Sequence, residues 1–506
     1  MTRKPAKSTF IFAIIAVLLL GGVFITTDSA NAQEVVPYVV VDTGQTHCYS
    51  NNGAIDCAGE GNAFFGQDAQ YQGTPAAYVD NNDGTITDLN TGLMWQQDPG
   101  SKMTWNDAMA GTDSFTLAGY SDWRMPTIKE LYSLMNFDGI TGFTAASSTP
   151  YLNTDYFIFE YGNETAGERM IDAQFWSSTE YVSTTMNGNH TVFGVNFADG
   201  RIKGYGTSGG RGEMTQFVRY VRGNTSYGIN NFVDNGNGTI TDQATGLIWQ
   251  QADSGKGMAW EAALSYCESS NTAGTSDWRL PNAKELQSIV DYTRSPDTTG
   301  SAAIDPMFST TSFVNDLGQT DYPAFWTSTT HLDGRLLGEN AVYVNFGESQ
   351  GYMSFGNSSA QLMDVHGAGA QRSDPKTGNP DDYPTGHGPQ GDVITIYNSV
   401  RCVRSGEVEF IVDTAPASTA AVANNTGQPP QNQNQNQGVG QPQAPGNDQQ
   451  PPQQAIDACA GQIQGTSCQI DTPQGTLDGT CQDIQNTTAC VPEGGPGGQQ
   501  RPPGQG

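Results

Sequence analysis

The segment VDNNDGTITDLNTGLMWQQ that starts at Val79 returns as VDNGNGTITDQATGLIWQQ at Val233, and this repetition constrains the chain more than any other feature. DWRMPTIKEL from Asp122 returns as DWRLPNAKEL from Asp277, FWSST from Phe175 as FWTST from Phe325, and VRYVR from Val218 as VRCVR from Val400. All eight tryptophans fall inside the two copies, four in each. Trp95, Trp123 and Trp176 of the first copy, with Trp249, Trp278 and Trp326 of the second, are expected in the cores. Asp83-Gly84 and Asn237-Gly238 are tight-turn pairs between strand-like runs. Trp260, Leu264 and Cys267 recur at helical spacing, and Thr127 with Glu130, like Asn282 with Glu285, has capping-box spacing ahead of a second helix. Each copy therefore reads as an α+β unit of short antiparallel strands and two helices.

The ends read differently. Arg3, Lys4 and Lys7, the apolar run from Phe10 to Ile25 and Ala30-Asn31-Ala32 form an export signal over 1–32; left uncleaved, it would be the chain's one membrane attachment. The expected order continues with an extended segment at 33–75 as part of the first domain, repeat one at 76–223 and repeat two at 224–406. A disordered linker rich in Gln, Pro and Asn follows at 407–455, then a small cysteine module at 456–494 and a disordered tail at 495–506. The formal charge of −30 argues against a nucleic-acid partner, which calls for a basic surface.

Export puts eight cysteines in an oxidising compartment, outer surface, periplasm or medium, where an even number favours disulfides over zinc. Cys267 on the first helix of repeat two and Cys402 near its end have Thr112 and Tyr220 at the aligned places of repeat one. Joint absence is what a bonded pair predicts, so Cys267 is expected to bridge Cys402. Cys48 and Cys57 are expected to form a local bridge. Cys459, Cys468, Cys481 and Cys490 admit three pairings, and spacing does not choose among them.

GTITDLNTGLMWQ, DWR(M/L)P(T/N)xKEL, FW(S/T)ST and VRxVR, in order and twice over, resemble the bacterial domain named for the C-terminal domain of the Legionella collagen-like adhesin. The resemblance runs from about Val40 to Arg404 and takes in VDTGQTHCY and FFGQDAQY upstream. It implies two tandem domains of C-type-lectin-like or formylglycine-generating-enzyme-like fold, with chain ends meeting in one sheet. It also implies adhesive binding at a surface, of a glycan or a surface protein.

Candidate chemistry concentrates in the second copy. From Asn196 to Arg219 is 23 positions and from Asn345 to Arg401 is 56, an insertion of about 33 residues. Within it Asp364, His366, Arg372, Asp374 and His387 are the expected ligand-binding set, although the same groups would also serve to tie the loop to itself. Trp123 with Arg124, and Trp278 with Arg279, read as core tryptophan and structural arginine rather than a recognition surface. Asp80, Asn82, Asp83 and Asp88 suggest calcium by residue type, but their spacing does not fit an EF-hand loop and a polar hairpin explains them. No catalytic residue is assigned and no cofactor follows from the sequence. No GxSxG, HExxH or phosphate loop occurs, so binding is preferred to catalysis. A periplasmic enzyme acting at the repeat-two loop and an architectural envelope protein are the alternatives.

Overall fold

The computed structural model describes residues 37–209, 212–334, 336–354, 359–405, 409–410, 458–459, 466–472, 475–484 and 487–492. The export segment at 1–32 and the tail at 495–506 lie outside the described residues, as does the linker at 407–455 apart from 409–410. Among the described residues no helix is long and apolar enough to cross a membrane. The chain divides into two compact units, Met1–Ala420 and Ala421–Gly506.

Copy one runs β1 (Tyr78–Asp80), β2 (Thr85–Asp88), β3 (Leu93–Gln96), α1 (Trp105–Gly111), α2 (Ile128–Ser133), β4 (Gln174–Glu180), β5 (Thr191–Asn196), β6 (Arg201–Gly206) and β7 (Val221–Gly223). Copy two opens with β8 (Phe232–Asp234), β9 (Thr239–Asp242), β10 (Leu247–Gln250), α3 (Trp260–Glu268) and α4 (Ala283–Ser288). It continues with β11 (Ala324–His331), β12 (Asn340–Asn345), the hairpin β13 (Gln350–Met353) and β14 (Gln361–Asp364), β15 (Gln371–Pro375) and β16 (Val403–Ser405). Each closing strand returns to the opening hairpin, in the orders β7-β3-β2-β1 and β16-β10-β9-β8, so each copy's end meets its beginning in one sheet.

Local chemistry explains the pieces. Asp83 Oδ1 accepts from Thr85 N and Oγ1, and Asp88 Oδ1 from Asn90 N and Thr91 N, so these carboxylates are engaged in shaping turns. Both capping boxes form at α2 and α4. Arg124 grips Glu130 and Arg279 grips Glu285 through paired hydrogen bonds, fixing the segment before each helix. Trp95, Trp123, Trp176, Trp249, Trp278 and Trp326 are all buried.

The two copies join edge to edge. A six-stranded sheet runs β11-β12-β15-β6-β5-β4, three strands from each copy. Val195 pairs with Ile202, Val344 at the corresponding place pairs with Gln371, and Ile202 pairs with Gln371 across the seam. Equivalent positions facing each other in antiparallel strands are the mark of a twofold axis, here within one chain. The helices obey the same symmetry. Lys129 Nζ donates to Ser288 O at 2.7 Å, and its counterpart Lys284 donates to Ser133 O at 2.9 Å. One apolar core accordingly contains residues from both sides of the seam, among them Leu131, Tyr132 and Ile202 with Leu286, Ile289 and Val344.

Burial holds both ammonium pKa values down at about 8, against 10.5 for a free lysine, with nearby carboxylates opposing the shift. Between those values the unfolded chain binds more protons, so stability should rise with pH from about 8 towards 10. Urea melts at pH 8, 9 and 10 should show a shallower rise for a Lys129→Met/Lys284→Met double variant. An unchanged slope would rule out these two lysines as its source.

The bond Cys267–Cys402 ties α3 to the residue before β16, with 5.5 Å between Cα atoms. In copy one a different device takes its place. Tyr220, at the position of Cys402, donates its hydroxyl to Ala108 O at 2.8 Å and packs on Phe115, joining α1 to the closing strand without sulfur.

Cys48 and Cys57 are bonded, pinning the N-terminal segment. That segment reaches both copies. Phe137 N donates to Thr43 O in copy one, while Gln45 exchanges hydrogen bonds with Thr330 and Tyr71 donates to Glu268 in copy two. Past the expected boundary at 406, Glu409–Phe410 pairs with Tyr71–Gln72.

In the C-terminal unit, strands β17 (Ser467–Thr472), β18 (Gly475–Ile484) and β19 (Thr487–Pro492) form a meander. The disulfides are Cys459–Cys481 and Cys468–Cys490, which selects one of the three pairings. Sulfurs of Cys459, Cys468 and Cys490 lie within 4.8 Å of one another, but as disulfides they offer no thiolate to a metal. Among the described residues, the four cysteines form a buried cluster with Ala458 against it.

Candidate functional site

The insertion of copy two is not a free flap. Its strand β15 occupies the middle of the six-stranded sheet between β12 and β6, and the β13–β14 hairpin is an excursion ahead of it. Close approach makes this seam specific. Gly204 N donates to His366 O at 2.9 Å, and a Cβ at Gly204 would sit 2.5 Å from that oxygen.

The five sequence-selected residues divide accordingly. His366 Nε2 bonds Asp392 Oδ1 at 2.9 Å, and the Arg372 guanidinium bonds the other oxygen of Asp392. Asp364 accepts from the Tyr181 hydroxyl of copy one at 2.8 Å and from Gly367 N at 2.8 Å. Asp374 accepts from Thr395 N at 2.6 Å. All four are buried; His387 is exposed, and its backbone pairs with Asp392. The structure thus gathers His366 and Arg372 on one carboxylate, leaves Asp364 and Asp374 on separate partners, and turns the His387 side chain to solvent.

Sequence reading missed Asp392, the hub of this set. It also missed the copy-one charges near it: Arg201 and Lys203 alternate on one face of β6 and Asp199 lies in the turn two residues before, a period-two pattern that could have marked them. Arg201 pairs with Asp333 of copy two and donates to Ser373 Oγ at 2.7 Å, and Lys203 Nζ bonds Asp199 at 2.9 Å. The seam is therefore lined by a buried ionic network.

Its electrostatics follow from burial. Burial, helped by Arg372, lowers the His366 pKa to about 4, so the imidazole is neutral near pH 7. Burial raises Asp392, yet Arg372 and His366 overcome it and hold the carboxyl well below the usual range. Burial lifts Asp364 and Asp374 to about 7 each.

A cleft of about 480 Å³ opens beside this network, with Arg372 and Asp392 in its wall. Of the five expected residues, Arg372 lines it. Phe313 and Tyr397, 47% and 55% exposed, stand on its rim, and Tyr322 and Tyr343 also line it. Asp316, Asp321, Glu348 and Asp392 face two cationic residues there, Lys256 and Arg372. Burial, with Asp364, Asp321 and Asp297 nearby, raises Glu348 to about 7. A second cleft of about 540 Å³ lies between the N-terminal segment and copy two, but the aromatic side chain in its lining, Tyr38, is buried. The first cleft is therefore the better recognition site: aromatic faces at the mouth, hydrogen-bonding groups within.

No match is found among curated proteins or among solved structures. A family model, the Lcl C-terminal domain, matches residues 84–222 and 238–365. The second match ends before β15, so the central seam strand of copy two and its closing segment lie outside it. Together the two matches span more than half of the chain, which belongs to the Lcl C-terminal domain family in two tandem copies.

Proposed function

We propose that this is an exported, non-catalytic binding protein of the adhesin kind, whose lectin-like copies present one principal ligand cleft, that of copy two. The carrying observation is the pairing of exposed Phe313 and Tyr397 at the rim with the Arg372–Asp392 pair in the wall. Aromatic faces stack on the C–H face of a sugar ring, and fixed polar groups read its hydroxyls. Four carboxylates against two cations disfavour a sulfated or uronic chain, so the ligand is a neutral, hydroxyl-rich glycan at a cell or matrix surface. His366, Asp364 and Asp374 serve this site by setting Arg372, Asp392 and their strands in place. Membership of an adhesin-related family and the disulfides support a surface role.

A glycan array probed with the wild-type chain and with Phe313→Ala/Tyr397→Ala tests the reading. Because both residues are exposed, the variant should fold normally and lose binding to the wild type's neutral-glycan hits by about thirtyfold, as expected when two stacking faces are removed together. Retained binding would remove the cleft from the proposal, and turnover of a hit would favour the enzyme alternative.

A further inference from the structure

The duplication supplies an internal comparison, because one surface of copy two is covered by the chain's own N-terminal segment while its counterpart on copy one is open among the described residues. On copy two, Phe64 lies against Trp260 with ring centroids 6.4 Å apart, and Thr329 Oγ1 donates to Asp68 at 2.5 Å. Tyr71 donates to Glu268 Oε1 at 2.7 Å and sits beside the Arg279 guanidinium, 5.5 Å from its ring centroid. Under that cover Trp260 and Asn282 are buried, and the Arg279 side chain is 5% exposed.

The same wall is built on copy one. Trp105 Nε1 donates to Ser177 O as Trp260 Nε1 does to Thr327 O, and Thr179 Oγ1 accepts from Ile128 N as Thr329 Oγ1 does from Ala283 N. Arg124 and Glu130 reproduce Arg279 and Glu285. Yet Trp105 and Thr179 are only half-buried, Thr127 and Asp113 are exposed, and the Arg124 side chain is 29% exposed. His190 touches the Trp105 ring edge-on, and among the described residues the rest of this surface is uncovered.

We infer that this face of copy one is a berth for a turned segment of another protein chain, folded like the turn and 3-10 helix at Phe64–Gln70 and bearing an aromatic residue, a carboxyl-bearing residue four positions later and a tyrosine three beyond. The spacing is that of Phe64, Asp68 and Tyr71, the set that fills the twin berth. The aromatic residue would cover Trp105, the carboxyl would take the Thr179 hydroxyl, and the tyrosine would lie over Arg124 towards Asp113. This surface is separate from the glycan cleft, and its test does not depend on it.

The probe is a synthetic peptide of residues 62–72, titrated by calorimetry into the full chain. Saturable one-to-one binding is expected, weakened about thirtyfold by Trp105→Ala, the central aromatic anchor. Asp113→Arg, on an exposed position that leaves the fold intact, should weaken it severalfold, as should alanine at the peptide's place for Asp68. The inference is overturned if millimolar peptide does not saturate, or if both variants bind as tightly as wild type, which would mean that the peptide displaces the native segment on copy two. Peptide-sensitive dimerisation of the chain would overturn the choice of a foreign occupant.

Discussion

Replacing Cys267 and Cys402 together by alanine should cost about 4 to 5 kcal/mol, as a fall in urea midpoint with a slope that steepens because the uncrosslinked unfolded chain is less compact. The magnitude follows from loop length. The bonded residues are 135 apart, and in the chain-entropy picture a crosslink that closes so long a loop removes much of the unfolded ensemble. By the same reasoning Cys48–Cys57, only 9 apart, contributes about 2 to 3 kcal/mol. Copy one provides the control. Tyr220→Phe deletes the hydroxyl bond to Ala108 O and should cost about 1 kcal/mol, because one buried hydrogen bond is lost and one carbonyl orphaned. If the double alanine variant melts with the wild-type midpoint, the sulfur bridge is not what holds the ends of copy two together.

What the sequence disclosed, and what it hid, divides at the boundary between local and non-local physics. Asp83-Gly84, the capping residues Thr127 and Asn282, and the core tryptophans act through neighbours a few positions away or through hydrophobicity alone, so inspection finds them. The Cys267–Cys402 contact was legible for a different reason, since the second copy records what the first lacks. The seam was not. Ile202 and Gln371 meet as strand partners without any pattern that announces it, because Gln371-Arg372-Ser373-Asp374 has no apolar alternation. Its two faces meet an ionic network and a cleft rather than oil. The residues of the insertion were singled out as a ligand set that could also tie the loop to itself; packing shows that Asp364 and His366 fasten the two copies, through Tyr181 and Gly204, while Arg372 binds Asp392 beside the cleft. Lys129 and Lys284 were hidden for the same reason: a lysine at the same place in both copies, on the helix that carries the core leucines, bridges to the other copy's Ser288 or Ser133.

Expressed alone, residues 224–406 should fail to melt cooperatively as a monomer, a loss as large as the whole stability of the unit. Three costs arise together. The face of α4 that packs on α2 and the shared core would expose Leu286, Ile289 and Val290 to water, at about 1.5 to 3 kcal/mol for each side chain so exposed. Strand β15 would lose β6, leaving an unpaired edge in what had been the middle of a sheet. Arg201 and Lys203 would no longer balance Asp333 and the seam carboxylates, so charges now compensated would have to be hydrated or protonated. The Cys267–Cys402 bond survives the cut but acts on the unfolded chain and restores none of these contacts. Because the seam is twofold in character, the isolated copy has one low-cost escape, pairing with a second molecule so that β15 meets β15 and Lys284 reaches Ser133's counterpart, Ser288. Sedimentation and calorimetry of the fragment separate the outcomes: aggregation, a broad transition or a dimer agrees with a shared core, whereas a monomer with a sharp transition would show that each copy folds by itself and that the seam is only adhesive.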